Sequence, residues 1–568
     1  MNRFLPFALL AVFAGGCARS DLGERAASQV VKAAVEGQAK VAKDSMKSIG
    51  EAKMKGGTLT GADAKGNKVW EMSAKLIEIK DSGDGGTPNR ANFTDARFKL
   101  FREGKLESTF DAPLIEFFRT GDGLRLAMRK GVRATNVGAL GKEGVPIAVS
   151  APRGDVDVKK RLVNLSGGAK VERGKIVVTG QTLRTQTDLA RSQMSGDVVA
   201  KSPQVITKAK NAVFAWKANK LTANGVTFAK DDLTLTGAKL VADTAAEKGT
   251  LSGDVRAQTP DSSATAPNVN FDWKADIIRA PRATVSHGGA QMQTGALQTD
   301  SKLKVGNAQN ISIAKNGATL QAASAQGFDG LSRLTGTRVT VVRDGTTLVA
   351  ARAKADNWSA KSGTIEGTGG VRASNKDGRM KANNAVWSGG ENGQITANGG
   401  VEIVSDGTTI QGARAVSDAQ FNVATMSGDV RAKLDDGSTL AAPQVRKSGQ
   451  QIVATGGTTA RMKTSGELGV LTIKAPRVDT TIGGQTARAS GGVNLKSASG
   501  VTATAPKATY NRKSETVVAS GGVLYHDPKR GTINGKTLTA NLKLESAQMT
   551  GVQGQSSVSF FDGKSLFE

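Results

Sequence analysis

Apolar and polar residues alternate with a period of two over long stretches of this chain. Between Ala487 and Leu495, every odd position carries Ala, Gly, Val or Leu, and the even positions carry Arg, Ser, Gly and Asn. The same alternation recurs from Met426 to Leu434 and from Ile365 to Ala373. A period of two over nine residues is typical of a β-strand with one buried face. The sequence therefore predicts long strands with apolar side chains inward and polar side chains outward.

One short motif inside these strands is repeated along the chain. It reads SGGAKV, SGDVVA, SGDVRA, TGGVRA, NGGVEI, SGDVRA, SGGVNL and SGGVLY, starting at residues 166, 195, 252, 368, 398, 427, 490 and 520. The starts differ by multiples of about thirty residues. A period in this range indicates a stacked array of structural repeats.

Glycine pairs and prolines predict that each strand is creased at its middle. The motif places GG or GD at the strand centre, and seven of the 13 prolines follow an alanine, as Pro443, Pro476 and Pro506 do. Both residue types favour bends or bulges within a sheet. The segment GGVEIVSDGTTIQGARAV at 399–416 carries a DG turn signal and reads as a hairpin. We expect an all-β, elongated antiparallel array with folded-over strands and an apolar inner wall.

The amino-acid composition argues against several kinds of functional site. The chain of 568 residues has one Cys, two His and a net charge of +27. These numbers exclude a disulfide scaffold and the usual zinc clusters. The Lys and Arg residues are spread evenly without aromatic interleaving, which argues against a nucleic-acid partner. No phosphate-binding loop, nucleophile elbow or HExxH motif occurs, and His287 and His526 are predicted to be loop residues. We therefore predict a non-enzyme without metal or cofactor.

The first residues have the features of a secretory signal. Residues 1–16 contain Arg3, an apolar run and a small-residue end before Cys17. The sequence AGGC resembles a bacterial lipobox, so we expect Cys17 to be lipidated, although a signal peptide with a chance cysteine is the alternative. Residues 17–50 form the predicted anchor and stalk, either helical or disordered, because an isolated helix of this length is only marginally stable.

The creased repeat resembles the OstA/LptA/LptC-like lipopolysaccharide-transport bridge family with its β-jellyroll or β-taco fold. Residues 166–568 resemble the LptA/OstA-like repeat. Residues 51–165 resemble the companion LptC-like module, through GNKVWEMSAKLIEI at 66–79, FREGKLESTFDAPLIEF at 101–117 and LRLAMRKGVRATN at 124–136. The resemblance implies transport of lipopolysaccharide or a similar acylated lipid. It implies an inner-membrane ABC-type extractor and an outer-membrane barrel translocon as partners, in the periplasm of a diderm bacterium. The lipobox at Cys17 adds an anchor on the inner or outer membrane, in which the chain departs from the usual members of this family.

The inward positions of the repeats are the predicted lipid-contacting residues. They are Val198, Val255, Val371, Val401, Val430, Val493, Val523, Leu251, Met426, Ile403 and Leu495. Arg256, Arg372, Arg431 and Lys496 lie on the outward phase, so the inner wall is expected to hold acyl chains with nothing in its depth to pair phosphates. Most of the Lys and Arg residues are expected to form the solvated outer face, and contact of rim residues with anionic head groups or lipopolysaccharide phosphates is the alternative. A closed core filled by the same inward residues is the alternative for each of them.

Two other functional classes remain open at this point. One is a surface adhesin or structural β-solenoid, whose rungs would be parallel. The other is an envelope hydrolase with scattered Asp and Ser. The segment SSVSFF at 556–561 is expected to be an exposed edge that allows β-strand addition by a partner.

Overall fold

The computed structural model describes residues 52–81, 88–121, 123–136, 145–304, 306–327, 329–389, 393–464, 469–542, 546–553 and 557–560. The predicted signal peptide, Cys17 and the stalk lie outside these residues. The described residues form 38 β-strands and two short 3-10 turns, at Trp216–Ala218 and Asp329–Leu331. The all-β prediction is confirmed. The chain divides into two compact units, residues 1–226 with 243–245, and residues 227–242 with 246–568.

The first unit contains twelve complete strands. They are β1 (Ala52–Ala62), β2 (Lys68–Asp81), β3 (Arg90–Arg102), β4 (Lys105–Thr120), β5 (Gly123–Arg129), β6 (Val132–Asn136), β7 (Ala148–Ala151), β8 (Arg153–Asp157), β9 (Leu162–Arg173), β10 (Ile176–Gln186), β11 (Arg191–Lys201) and β12 (Ile206–Ala215). Strands β13 (Lys220–Lys230) and β14 (Leu233–Asp243) span the division between the units.

The second unit contains the remaining strands. The first of them are β15 (Lys248–Gln258), β16 (Ser262–Asp272), β17 (Ile277–Ala280), β18 (Ala283–His287), β19 (Ala290–Thr294), β20 (Ala296–Thr299), β21 (Gly306–Lys315), β22 (Ala318–Gln326), β23 (Arg333–Arg343), β24 (Thr346–Asp356), β25 (Thr364–Ser374) and β26 (Gly378–Ser388). They are followed by β27 (Gln394–Ser405), β28 (Thr408–Asp418), β29 (Val423–Lys433), β30 (Thr439–Ser448), β31 (Gln451–Lys463), β32 (Val470–Thr481), β33 (Thr486–Lys496), β34 (Thr502–Asn511), β35 (Thr516–Asp527), β36 (Gly531–Asn541), β37 (Ser546–Thr550) and β38 (Ser557–Phe560).

Strands that follow one another in the repeats pair antiparallel. In the predicted hairpin, β27 pairs with β28 from Ser405↔Thr408 to Gln394↔Asp418. Asp406 and Gly407 form its two-residue turn with φ values of 49° and 70°, as the left-handed positions of a type I′ turn require. Parallel rungs are absent from the pairings within the described part of each unit. The parallel-rung β-solenoid is therefore wrong as the fold, whereas a role as a surface adhesin stays an alternative prediction.

The predicted creases occur as two-against-one bulges. In the pairing of β33 with β34, Ser490 lies opposite Lys507 and Val493 opposite Ala505, so Gly491 and Gly492 together face Pro506. Both glycines have positive φ, 89° and 96°. Such a bulge bends its strand, and the proline opposite has no N–H to leave unpaired. The crease therefore follows from local sequence, as predicted.

Aromatic rings are concentrated in the first strands, whereas the later repeats carry mostly aliphatic side chains inward. In the first unit the aromatic rings of Trp70, Phe93, Phe98, Phe110 and Phe117 pack together with centroid separations of 5.8 to 6.4 Å. In the later repeats of the second unit, most inward positions carry Ala, Val, Leu or Ile. The predicted domain boundary at residues 165 and 166 stays a prediction.

Candidate functional site

All of the predicted lipid-contacting residues are buried in the interior of their own unit, Val198 in the first unit and the others in the second. Their side chains are at most 5% exposed; they are Val198, Val255, Val371, Val401, Val430, Val493, Val523, Leu251, Met426, Ile403 and Leu495. The predicted outward residues Arg256, Arg372, Arg431 and Lys496 are exposed. The inward phase was therefore identified correctly from the sequence, whereas contact of these residues with lipid stays a prediction.

Turns at the two ends of the strands form two rims in the second unit. The first rim consists of turns 356–364, 418–423, 448–451, 481–486 and 511–516, and the second rim of turns 343–346, 374–378, 405–408, 433–439 and 496–502. A straight strand of eleven residues would hold its two ends about 35 Å apart. Contacts between the rims therefore report how completely the strands are folded over.

Side chains join the two rims directly. Asp406 of the second rim lies 3.0 Å from the Nζ atom of Lys447, which stands at the opposite, first-rim end of β30. Thr346 and Asn375, both on the second rim, donate hydrogen bonds of 3.2 and 2.9 Å to the carbonyl oxygen of Ala419 on the first rim. The two walls are therefore closed on each other, and the apolar interior is covered in this structure.

In the Asp406–Lys447 ion pair, Lys447 is buried and Asp406 is partly exposed. The Lys447 side chain is 1% exposed and also donates to the carbonyl oxygen of Phe421 at 3.1 Å, whereas the Asp406 side chain is 41% exposed. The hydrogen bond from Lys447 holds the pKa of Asp406 below its usual value, against the opposing effect of burial. A second ion pair, between Asp436 on the second rim and Arg512 on the first, joins the rims in the same way.

Arginine side chains make similar contacts without a carboxylate. Arg343, at the end of β23, donates to the carbonyl oxygens of Trp358 and Ala360 at 3.0 and 3.3 Å and lies 4.3 Å from the ring centroid of Trp387. In the first unit, Arg173 at the end of β9 donates to the carbonyl oxygen of Trp216 and to Asn219, at 3.1 and 2.9 Å. A buried arginine bonded to a tryptophan carbonyl is thus used in both units.

Three inward cations lie at strand ends and not in the depth of the inner wall. Arg173, Arg343 and Lys447 are buried on the inward phase of their strands. The inward position of Arg343 follows from the sequence, because Val339, Val341 and Arg343 keep the same alternation. The repeated motif covers only the strand centres, so it does not include the cations at the strand ends.

Both histidines lie in strands, and the prediction of loop positions is wrong. His287 ends β18, and its Nδ1 is 2.7 Å from the hydroxyl of Ser262. His287 also lines a depression of about 350 Å³ with Asp261, Lys304 and Asp329. In β35, the Nδ1 of His526 is 2.9 Å from the hydroxyl of Thr532.

Two features are absent from the described ranges. These ranges hold no group of three or more His, Cys, Asp or Glu residues arranged to bind a metal ion. In the same part of the chain, no helix has the length and hydropathy needed to cross a membrane.

Among known proteins, only solved structures show a similarity to this chain. No family model and no curated protein matches the chain. Among solved structures, the chain is similar to LptH, the LptA-homologous periplasmic component of the lipopolysaccharide transport device from Pseudomonas aeruginosa. The identity is 17%, the TM-score is 0.19, and the match covers 20% of this chain and 81% of LptH. A similarity of this size carries no argument about function.

Proposed function

We propose that this protein binds lipopolysaccharide or a similar acylated lipid inside its creased sheet and conveys it between the inner and outer membranes. The observation that carries the proposal is the apolar interior, which every repeat of the motif extends with the same inward positions. The sequence resemblance to the lipopolysaccharide-transport bridge family supports the same class of ligand.

The interior suits acyl chains for a physical reason. Burying a methylene group is favourable by about 0.8 kcal/mol and requires no particular orientation. Val371, Val430 and Val493 offer similar surfaces in successive parts of the second unit. A chain that slides from one repeat to the next would therefore exchange equivalent contacts without being trapped by hydrogen bonds.

Entry of a lipid requires the rims to separate, because the inward residues are covered. The contacts described between the rims are made by side chains, including Lys447 with Asp406 and Asn375 with the Ala419 carbonyl. Neighbouring strands are instead held by ladders of backbone hydrogen bonds, as in β27 and β28. The seam between the rims is therefore the line along which the closed sheet opens most easily.

Photocrosslinking in the native envelope tests this function. Small diazirine amino acids at positions 371, 430 and 493 are expected to label an acylated lipid, because these valines face the interior. The matched controls are the exposed neighbours Arg372, Arg431 and Asn494, which are expected to remain unlabelled. Equal labelling of both sets would contradict a lipid path through the interior.

The proposal includes a location and partners. Lipidation of Cys17 would anchor the chain to the inner or outer membrane on the periplasmic side. An inner-membrane ABC-type extractor would supply the lipid and an outer-membrane barrel translocon would receive it, with no nucleic-acid partner. In the described part of the chain, β38 pairs only with β37, which leaves an edge for strand addition by a partner.

We also propose that the protein is not an enzyme. The arrangement most similar to a hydrolytic site is Ser262 with His287, next to Asp261 and Asp329. Ser262 is only 4% exposed, so its hydroxyl is shielded from a substrate. Hydrolysis of an ester probe that is lost in Ser262→Ala would contradict this proposal.

A further inference from the structure

Arg343 is a buried cation at the seam between the two rims of the second unit. The residue is 6% exposed, and only its Nη1 atom donates hydrogen bonds within the described residues, to the carbonyl oxygens of Trp358 and Ala360. Its Nε and Nη2 atoms therefore have no acceptor there. These two nitrogens form the edge of the guanidinium that pairs with a carboxylate or phosphate through two parallel hydrogen bonds.

Other seam cations in this unit have a counter-ion. Lys447 pairs with Asp406, and Arg512 pairs with Asp436. In contrast, no carboxylate among the described residues lies within 4.0 Å of Arg343, whose near neighbours are carbonyl dipoles and the Trp387 ring, while the charge of Asp344 acts on it from farther away. Burial lowers the pKa of Arg343 accordingly, because the charged form is poorly solvated there.

Trp387 adds a buried donor without a partner. Its ring centroid lies 4.3 Å from the guanidinium carbon of Arg343, and the residue is 1% exposed. The indole Nε1 is buried and has no hydrogen-bond partner in the described part of the chain. A buried polar group without a partner costs roughly 1–3 kcal/mol and is normally satisfied by protein, water or ligand.

We propose that Arg343 and Trp387 form a binding site for a phosphate group on the carried lipid, an inference that rests on the proposed function. The phosphate would accept two hydrogen bonds from Nε and Nη2 of Arg343 and supply the missing negative charge. The inward neighbours Val341, Leu348 and Ile365 are fully buried and apolar. A phosphate held at the seam would therefore place an attached acyl chain against the interior.

Binding of three probes to the purified full chain tests the site. The probes are a lysophosphatidic acid, the monoacylglycerol with the same acyl chain, and inorganic phosphate. Binding is followed by calorimetry and by tryptophan emission, because a phosphate beside Arg343 would change the surroundings of the Trp387 ring. The variants are Arg343→Gln, the conservative Arg343→Lys, and the exposed control Arg372→Gln. Circular dichroism checks that each variant is folded.

The expected result is a preference of the native chain for lysophosphatidic acid over monoacylglycerol. We expect Arg343→Gln to lose about tenfold in affinity for lysophosphatidic acid, equivalent to about 1.4 kcal/mol, without a change for monoacylglycerol. Arg343→Lys should keep part of the preference, and Arg372→Gln all of it. If Arg343→Gln does not fold, Arg343→Lys tests the site instead. Its ammonium group makes a weaker, non-bidentate contact with a phosphate, so a reduced preference for lysophosphatidic acid would support the site and an unchanged preference would contradict it.

The remaining outcomes separate the site from the proposed function. Equal binding of both lipids by the native chain would overturn the phosphate site while leaving acyl binding in place. Binding of inorganic phosphate alone, lost in Arg343→Gln, would support an anion site but overturn its assignment to a lipid. Binding of no probe would overturn the proposed function and the lipid-phosphate site together.

Discussion

Replacing Gly428 with alanine isolates the packing at a crease. Gly428 has a φ of +83°, and a Cβ atom added there would lie 2.7 Å from the Cβ of Ala413 on the neighbouring strand. Ala413 has no side-chain torsion that could move its Cβ away. Gly437, in the turn between β29 and β30, has nearly the same φ of +82°, and an added Cβ would find no atom within 4 Å. The two glycines therefore differ in packing and share their backbone conformation.

The magnitudes follow from this difference. A residue with a Cβ atom in the left-handed region costs roughly 1–2 kcal/mol, which Gly437→Ala and Gly428→Ala should both show. Overpacking adds roughly 1–3 kcal/mol, and this part applies only to Gly428→Ala. We therefore expect Gly428→Ala to lower the local free energy of opening by about 2–5 kcal/mol, against about 1–2 kcal/mol for the control.

We would measure hydrogen exchange in peptides from β28 and β29. Repeats open locally, so a single global free energy of unfolding is not well defined for a long array. The double variant Gly428→Ala with Ala413→Gly supplies a second test. Removing the Ala413 Cβ makes room for the new one, so the two changes should couple by about 1–3 kcal/mol. A glycine also loses more conformational entropy on folding, so recovery should be incomplete.

Equal loss of protection in Gly428→Ala and Gly437→Ala would refute this reasoning, and so would a double variant without coupling. The repeats themselves show the same distinction between the two crease positions. The first position is glycine in all eight copies of the motif, whereas Asp197, Asp254 and Asp429 occupy the second position with φ values of 47° to 50°. The second position therefore requires only a left-handed backbone, and the first also requires the absence of a side chain.

Three further predictions concern the seam, the anchor and the chain edge. Asp406→Asn should destabilise the seam by about 1–3 kcal/mol, since it leaves the buried Lys447 without its counter-ion. The pKa of Asp406 is lowered in the folded state, so its contribution is present above the ordinary aspartate pKa near 4 and is lost as pH falls through the folded value. Measured as protection relative to the intrinsic exchange rate at each pH, this loss should occur in the native chain but not in the variant. Cys17→Ser should release the folded chain from membranes in fractionation, and retention after a high-salt wash would show another anchor. Deleting residues 552–568 removes β38 and should abolish partner capture while hydrogen exchange in the other repeats is unchanged, and capture by the truncated chain would exclude this edge as the docking site.

The strands and creases were predictable because both are local properties. Alternation from Ala487 to Leu495 identifies the inward face of β33 without knowledge of any other strand. The GG pair and Pro506 bend the paired strands through their own φ preferences and a missing N–H. Because these features recur about every thirty residues, each repeat contains the sequence information for its own strands and creases.

Closure of the sheet was not predictable, because it depends on residues far apart in sequence. Thr346 contacts the Ala419 carbonyl across 73 positions, and Asp436 reaches Arg512 across two repeats. Nothing in the alternation specifies whether two apolar walls meet or leave a groove open. The inward arginine at the end of β23 was detectable by its phase, but its missing counter-ion became visible only when the opposite rim was in place.

The balance between ladder and seam explains how one structure can be stable and still admit a ligand. Each pair of long strands in the second unit shares about ten register positions, as β27 and β28 do, so strands are held to their neighbours by many cooperative backbone bonds. A seam contact such as Asn375 with the Ala419 carbonyl is one hydrogen bond with a net value of about 1 kcal/mol. Opening a short stretch of seam therefore costs a few such contacts and leaves the ladder intact. A lipid whose phosphate accepts hydrogen bonds from Nε and Nη2 of Arg343 would offset part of that cost at the point of entry.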